Sequence, residues 1–178
     1  MKILAIIGVL VGLIGIILII IVLAYNKYQL ALIKLDKGET NIYSALEKKY
    51  NILLRYIDFL RNNIEINEED FDEYNFLNLK MPINKLNQKI NNMNNVINKY
   101  MDNNEKLLKN ETIININKEL QDVNITINGC KKYYNDNLAK YNILIHKFPS
   151  NIIGKIFKYK EKDFLDEDIN EQLKILDE

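Results

Sequence analysis

Apolar and polar residues follow two regimes along this chain. From Ile3 to Tyr25 the sequence ILAIIGVLVGLIGIILIIIVLAY carries no charge, so a helix through it is apolar on every side. At 1.5 Å per residue such a helix is about 35 Å long, enough to cross a ~30 Å hydrocarbon core. Beyond it the apolar positions become periodic. Tyr28, Leu32, Leu35, Ile42, Leu46, Leu53, Ile57, Leu60 and Ile64 fall three, four or seven apart and predict one helix running from the apolar stretch to about Asn62. Gly38 lies inside it, a cost of about 1 kcal/mol that does not end a helix. Glu39 and Lys49 fall as polar positions on this seam. Leu86, Ile90, Met93, Ile97 and Tyr100 predict a second helix with Pro82 in its first turn, or one that starts nearer Asp70 if Pro82 only kinks it. The longest seam runs through Ile113, Ile116, Leu120, Val123, Ile127, Cys130, Tyr134, Leu138, Tyr141, Ile145 and Phe148. Pro149 stops that helix, and Ser150 or Asn151 can cap a short piece bearing Ile152, Ile153, Ile156 and Phe157. No segment reads as a strand.

The polar stretches between these seams read as connections. Glu65 to Glu73 gathers acidic residues around Phe71, and its lack of glycine sets it apart from a calcium loop. It is expected to be a solvated turn. Asn103 to Glu111 joins the second helix to the third. Helices with one apolar stripe bury it by packing together at roughly 20° crossings. The expected fold is therefore all-α: a transmembrane helix continuous with an antiparallel up-and-down bundle of about four helices. Residues 1–25 form the anchor, 26–162 the bundle and 163–178 a charged tail. If the helices run out, back and out again, Phe148 and Pro149 lie at the membrane-distal end.

Two other readings of the apolar stretch fit it less well. A cleaved signal peptide would end at a small-residue exit such as Val22-Leu23-Ala24, but the run is too long for one. A core helix of a globular domain does not require an apolar surface on all sides over this length. Lys27, Lys34 and Lys37 outnumber Lys2 and the N-terminal amine, which for a single-pass protein favours the cytoplasmic over the extracellular side for the bundle.

Composition narrows the chemistry. Lysine plus arginine equals aspartate plus glutamate at 24 each, so no net field favours nucleic acid. Cys130 is the one cysteine and His146 the one histidine. Sixteen residues apart on one helix, they stand about 24 Å apart and cannot act as a nucleophile and its base. Ile143 occupies the place where a di-iron bundle would carry glutamate three residues before histidine. Cys130 is read as a core thiol and His146 as a surface residue. No catalytic, cofactor or metal site is predicted.

Several blocks together resemble the LemA family. They are Tyr25-Asn26 after the apolar helix, Ala45-Leu46-Glu47-Lys48-Lys49-Tyr50-Asn51-Ile52-Leu53, Glu119-Leu120, and the late series Tyr133-Tyr134-Asn135, Tyr141-Asn142 and Phe148-Pro149-Ser150-Asn151-Ile152-Ile153-Gly154-Lys155-Ile156-Phe157. Tyr134, Asn135, Tyr141, Asn142, Phe148 and Pro149 match the family motif. Tyr100-Met101-Asp102 lacks the proline usual there, and Lys131-Lys132 replaces an Ala-Arg pair. The resemblance implies a bacterial, membrane-associated helical bundle without an agreed activity.

Three groups of residues are candidates for interaction. Asn135 and Asn142, one heptad apart, are placed to hydrogen-bond to the first helix and fix register, or else to sit as surface amides. Lys155, Lys158, Lys160 and Lys162, interleaved with Phe157 and Tyr159, suit a lipid headgroup or a protein partner. The membrane-distal placement favours the protein or a solvated rim. The function expected is a membrane-anchored scaffold or interaction module with an unidentified protein partner; a sensory or envelope-stress role is the alternative and an enzyme the remote one. Ala5, Gly8, Gly12 and Gly15 share one face of the anchor, and the Gly8 to Gly12 spacing lets two membrane helices approach closely. On this hypothesis of self-association, Gly12→Ile abolishes crosslinking between protomers in membranes; undiminished crosslinking would refute it.

Overall fold

The computed structural model describes residues 2–165. Four α-helices are present among them: α1 (Lys2–Asn63), α2 (Ile83–Asp102), α3 (Glu111–His146) and α4 (Ser150–Ile156). Short 3₁₀ turns occupy Glu68–Asp70, Asp72–Tyr74 and Glu105–Lys109, and the described residues contain no strand. The chain divides into two compact units. One comprises Met1–Lys37 with Tyr133–Glu178, the other Gly38–Lys132. Most of the proposed tail, 166–178, with Ile169, Leu173 and Leu176, lies outside the described residues.

In the unit of residues 38–132, the later part of α1, α2 and the earlier part of α3 bury their stripes together. Ile42, Leu46, Leu53, Ile57 and Leu60 of α1, Leu86, Ile90, Met93 and Ile97 of α2, and Ile113 and Val123 of α3 are all fully or almost fully buried. Each such side chain contributes about 1.5 to 3 kcal/mol, which offsets the modest helix propensity of the asparagines between them. Gly38 continues the helix, as its isolated position predicts. Glu39 is exposed and lies off the seam, whereas Lys49 is buried on it.

The acidic connection is more than a solvated turn. Phe71 and Tyr74 are buried, and the Tyr50 hydroxyl donates to the Tyr74 carbonyl at 2.6 Å. The Tyr43 hydroxyl donates to Met81 O at 2.9 Å. This connection therefore runs back along α1, from the level of Tyr50 to that of Tyr43. The Asn67 amide oxygen caps the first 3₁₀ turn by accepting from Glu69 N, and Arg61 holds Glu68 at 2.8 Å. The Arg61 guanidinium bonded to Glu68 lowers that carboxyl's pKa. Burial, with a hydrogen bond to Glu73, pushes the Tyr74 phenol up to about 12.

Helix α2 starts at Ile83, with Pro82 as its N-cap residue, so the start nearer Asp70 is not found. A proline there lacks only an N–H that would be unsatisfied anyway. Because the connection has already returned along α1, α2 runs parallel to α1, with Met81 beside Tyr43 and Asn91 beside Lys49. Helix α3 begins in the unit that holds the end of α1 and finishes in the unit that holds its beginning. The return pass that the sequence assigns to α2 is made by residues 64–82. Phe148 and Pro149 therefore lie at the membrane end of α1 and not at the membrane-distal end expected from three alternating helices.

In the unit containing the apolar stretch, large side chains from Ile3 to Leu23 are left uncovered by the chain, Ile3 being 74% exposed and Leu23 57%. Helix α1 is the one described helix long and apolar enough to cross a membrane, and no part of its apolar window is buried. A core helix would be covered, so the exposed apolar surface calls for lipid. Covering begins at Ala24 and Tyr28, both buried.

Lys49 supplies a test of the packing. Its ammonium donates to Asn91 Oδ1 at 2.9 Å, while burial foremost and then repulsion from Lys131 lower its pKa from 10.5. The unfolded chain therefore binds more protons than the native one between that lowered value and 10.5, and over this window the Lys49 contribution makes stability rise with pH. Lys49→Met is expected to stabilise the protein by about 1 kcal/mol near neutral pH. The gain should shrink toward alkaline pH; thermal melts of both proteins at two pH values check it, and a Met variant less stable at neutral pH refutes it.

Candidate interaction site

Where α1 leaves its apolar stretch, Tyr28 turns inward. The side chain is fully buried, and its hydroxyl donates to the Leu144 carbonyl at 2.7 Å, with the Ser150 carbonyl at 3.2 Å sharing the proton. The end of α3 and the start of α4 are thereby held against the first covered turn of α1. Burial, then the neighbouring Tyr141 and Tyr159 phenols, raise the Tyr28 pKa. Gly154 lies over the same hydroxyl. A Cβ there would stand 2.6 Å from the Tyr28 oxygen, so α4 approaches α1 this closely only because position 154 has no side chain.

Aromatic rings continue from that point. Tyr28 contacts Tyr141 edge-on at 6.1 Å and Tyr159 at 4.7 Å between ring centroids. Phe157 stacks on Tyr159 at 6.0 Å and lies 5.1 Å from Tyr25, the last residue of the apolar stretch. Such pairs add about 0.5 to 1.5 kcal/mol beyond burial alone.

Helix α4 ends in a Schellman turn. Tyr159 N donates to Gly154 O at 2.9 Å and Lys158 N to Lys155 O at 3.3 Å, with Lys158 at φ 56° in the place where glycine is usual. This turn sends the following residues back along α3 as an extended strap. The Tyr141 hydroxyl donates to Lys160 O at 3.0 Å. Asn142 grips Lys162 twice, Nδ2 donating to its carbonyl at 2.9 Å and Oδ1 accepting from its N–H at 3.2 Å. Asn135 Oδ1 accepts from Leu165 N at 3.4 Å. All these bonds go to main-chain atoms, which the strap, having no helical partners of its own, would otherwise leave to water.

Beside the strap lies an open groove of about 600 Å³, lined by Ala139, Asn142, Ile143, His146, Glu161 and Phe164 among others. Ile143 is 55% exposed in it. His146 Nε2 faces Glu161 Oε2 at 3.3 Å across its rim.

The other predicted residues fall as follows. Tyr134, Tyr141 and Asn142 are buried and Asn135 half-buried, and both asparagines bond the strap. Phe148 is 73% exposed and leaves the seam, because α3 ends at His146, and the Phe148–Pro149 peptide is cis. Neither Ser150 nor Asn151 caps α4; its N-cap residue is Pro149 and makes no side-chain bond. Lys155, Phe157, Lys158, Lys160 and Lys162 are exposed and Tyr159 half-buried. Cys130 is only half-buried, so it is not the core thiol its seam position suggests, and His146 is exposed. Ala5, Gly8 and Gly12 are exposed and Gly15 half-exposed, with open space where a Cβ would stand on each of the three glycines. Among the described residues no three metal-ligating groups come together. The strap itself escaped sequence reasoning; its signal is the Tyr-Asn pair of residues 141 and 142, followed some twenty residues on by a non-periodic lysine-rich run.

These Tyr-Asn and Phe-Pro blocks fall within residues 42–175, which match the pattern of the LemA family. The chain belongs to the LemA family. The match covers most of the chain and leaves the apolar stretch outside. No curated protein and no solved structure matches it. The protein is thus a membrane-associated, all-α LemA protein whose motif asparagines clamp its own strap.

Asn142→Ala removes both bonds to Lys162, each contributing about 1 kcal/mol. Tryptic cleavage after Lys160 and Lys162 should accelerate several-fold while the melting temperature hardly moves. Cleavage at the parent rate would show that Asn142 does not hold the strap.

Proposed function

We propose that this LemA protein is a membrane-tethered scaffold and interaction module, and that its working surface is the groove between α3 and the strap. The observation that carries the reading is the way the strap is held. Tyr141, Asn142 and Asn135 bond its main chain, so it forms one wall of a groove whose floor at Ala139 and Ile143 stays open and apolar. The rim at His146, Lys147 and Glu161 is polar. Apolar floor and polar rim are the arrangement that takes an apolar side chain from a partner polypeptide.

The lysines at positions 27, 34 and 37, joined by those of the strap near the same end of α1, favour the cytoplasmic side. A sensory or envelope-stress role is the second reading. It draws on the strap as an element with two positions, seated on α3 or released.

A photo-crosslinking residue in place of Ile143, with the fully exposed Phe76 as control position, tests the module reading in intact cells. A defined polypeptide adduct is expected from position 143 alone, and it should vanish with Ala139→Lys. Adducts at both positions alike, or none at position 143, would remove the support for a module. A dependence of the adduct on envelope stress would favour the sensory reading. Protease added outside intact cells should leave the bundle uncut; cleavage there would place it on the other face.

A further inference from the structure

We propose that α4 and the turn after it form a docking surface for anionic lipid headgroups, seated on the bilayer from which α1 emerges. The placement follows from contacts to α1. Phe157 packs against Tyr25 at the end of the apolar stretch, and Gly154 lies on Tyr28 one turn further along. With Ile153 and Gly154 buried, the other face of α4 points away from the protein. Ile152 is 49%, Ile156 63% and Phe157 49% exposed, and Ile152 and Ile156 are one turn apart on one side of the helix. Phe148, just before α4, is also exposed. These apolar groups stand uncovered at the level where α1 passes from exposed apolar surface to covered surface.

The charge around them selects the kind of lipid. Between Lys147 and Lys162 there are five lysines against the single glutamate, Glu161, which faces His146. Asp163 follows on the strap. Lys147, Lys155, Lys158, Lys160 and Lys162 are all exposed. Long lysine stems lie along apolar surface with the ammonium at headgroup level, and aromatic and aliphatic groups beside them sit at the acyl boundary. Each such lysine strengthens attraction to an anionic leaflet. A protein partner would equally cover an apolar patch, but continuity with the membrane segment places lipid there first. The surface shares only Lys147 with the rim of the groove at Ile143, and its apolar face on α4 lies outside that groove, so the two proposals are tested separately.

The chain has no tryptophan, so Phe157→Trp introduces a single indole, excited apart from the tyrosines, in the full-length protein. The protein is reconstituted into vesicles of neutral phosphatidylcholine with or without phosphatidylglycerol, carrying spin-labelled lipid at shallow or deep positions. The expected result is blue-shifted emission, quenched several-fold better by the shallow label than the deep one. Quenching should increase with the anionic lipid and fall with salt or with Lys155→Gln, Lys158→Gln and Lys160→Gln combined. Phe76→Trp should emit as a hydrated indole in every vesicle. Helix content by circular dichroism is checked for each variant; should Phe157→Trp fail to fold, Ile156→Trp reads the same face. Hydrated emission at position 157 overturns the proposal. So does blue-shifted emission that no labelled lipid quenches, as a second copy covering the patch would give, and so does quenching indifferent to anionic lipid.

Discussion

The buried Tyr28 hydroxyl is the point from which the membrane end of this molecule is organised. A phenol taken out of water must find a partner, and here it bonds the carbonyl of Leu144 in the last turn of α3. A carbonyl in that turn lacks an intrahelical N–H, so one bond satisfies two groups. Gly154 then closes over the ring, Tyr141 and Tyr159 flank it, and the strap begins. Filling the space at Gly154 or removing the hydroxyl would disturb the end of α3, α4 and the strap together, because they share this one support.

The strap shows how an asparagine-rich sequence uses its amides. Asparagine is a poor helix former because its side chain competes with the backbone for hydrogen bonds. At positions 135 and 142 that capacity is turned outward, to an extended segment with no hydrogen-bond ladder. Asn142 offers a donor and an acceptor at once and so matches both polar groups of the Lys162 peptide. Lys49 and Asn91 show the other use, one amide oxygen receiving a buried ammonium.

The helices were legible because burial of one face imposes a period, and each seam residue from Ile42 to Leu60 and from Leu86 to Ile97 obeys it. The connection at 64–82 carries no period. Phe71 and Tyr74 are buried there by tertiary contacts with α1, which a local pattern does not record. Counting that segment as a mere turn misdirects every later helix, and it is why Phe148 and the lysine tract were assigned to the wrong end. Phe148 itself keeps the spacing of the seam, but the helix has ended two residues earlier. The asparagine pair was legible as a pair one heptad apart, but its strap partner was not: a strap with no periodicity leaves no trace beyond its lysines.

Within the unit that holds the apolar stretch, the return of the chain to Tyr25 bears on any weak contact near the bilayer. Because the chain re-approaches α1 beside Tyr25, Phe157 is held at the end of the apolar stretch by the fold and need not search for it. Tethering of this kind replaces a bimolecular association with an effectively intramolecular one, so that individually weak headgroup or side-chain contacts can be occupied. If the groove at Ile143 takes a partner as proposed, the same tether would restrict it to partners that are themselves at or near the membrane surface. Geometry would then narrow the choice before any specific contact is made.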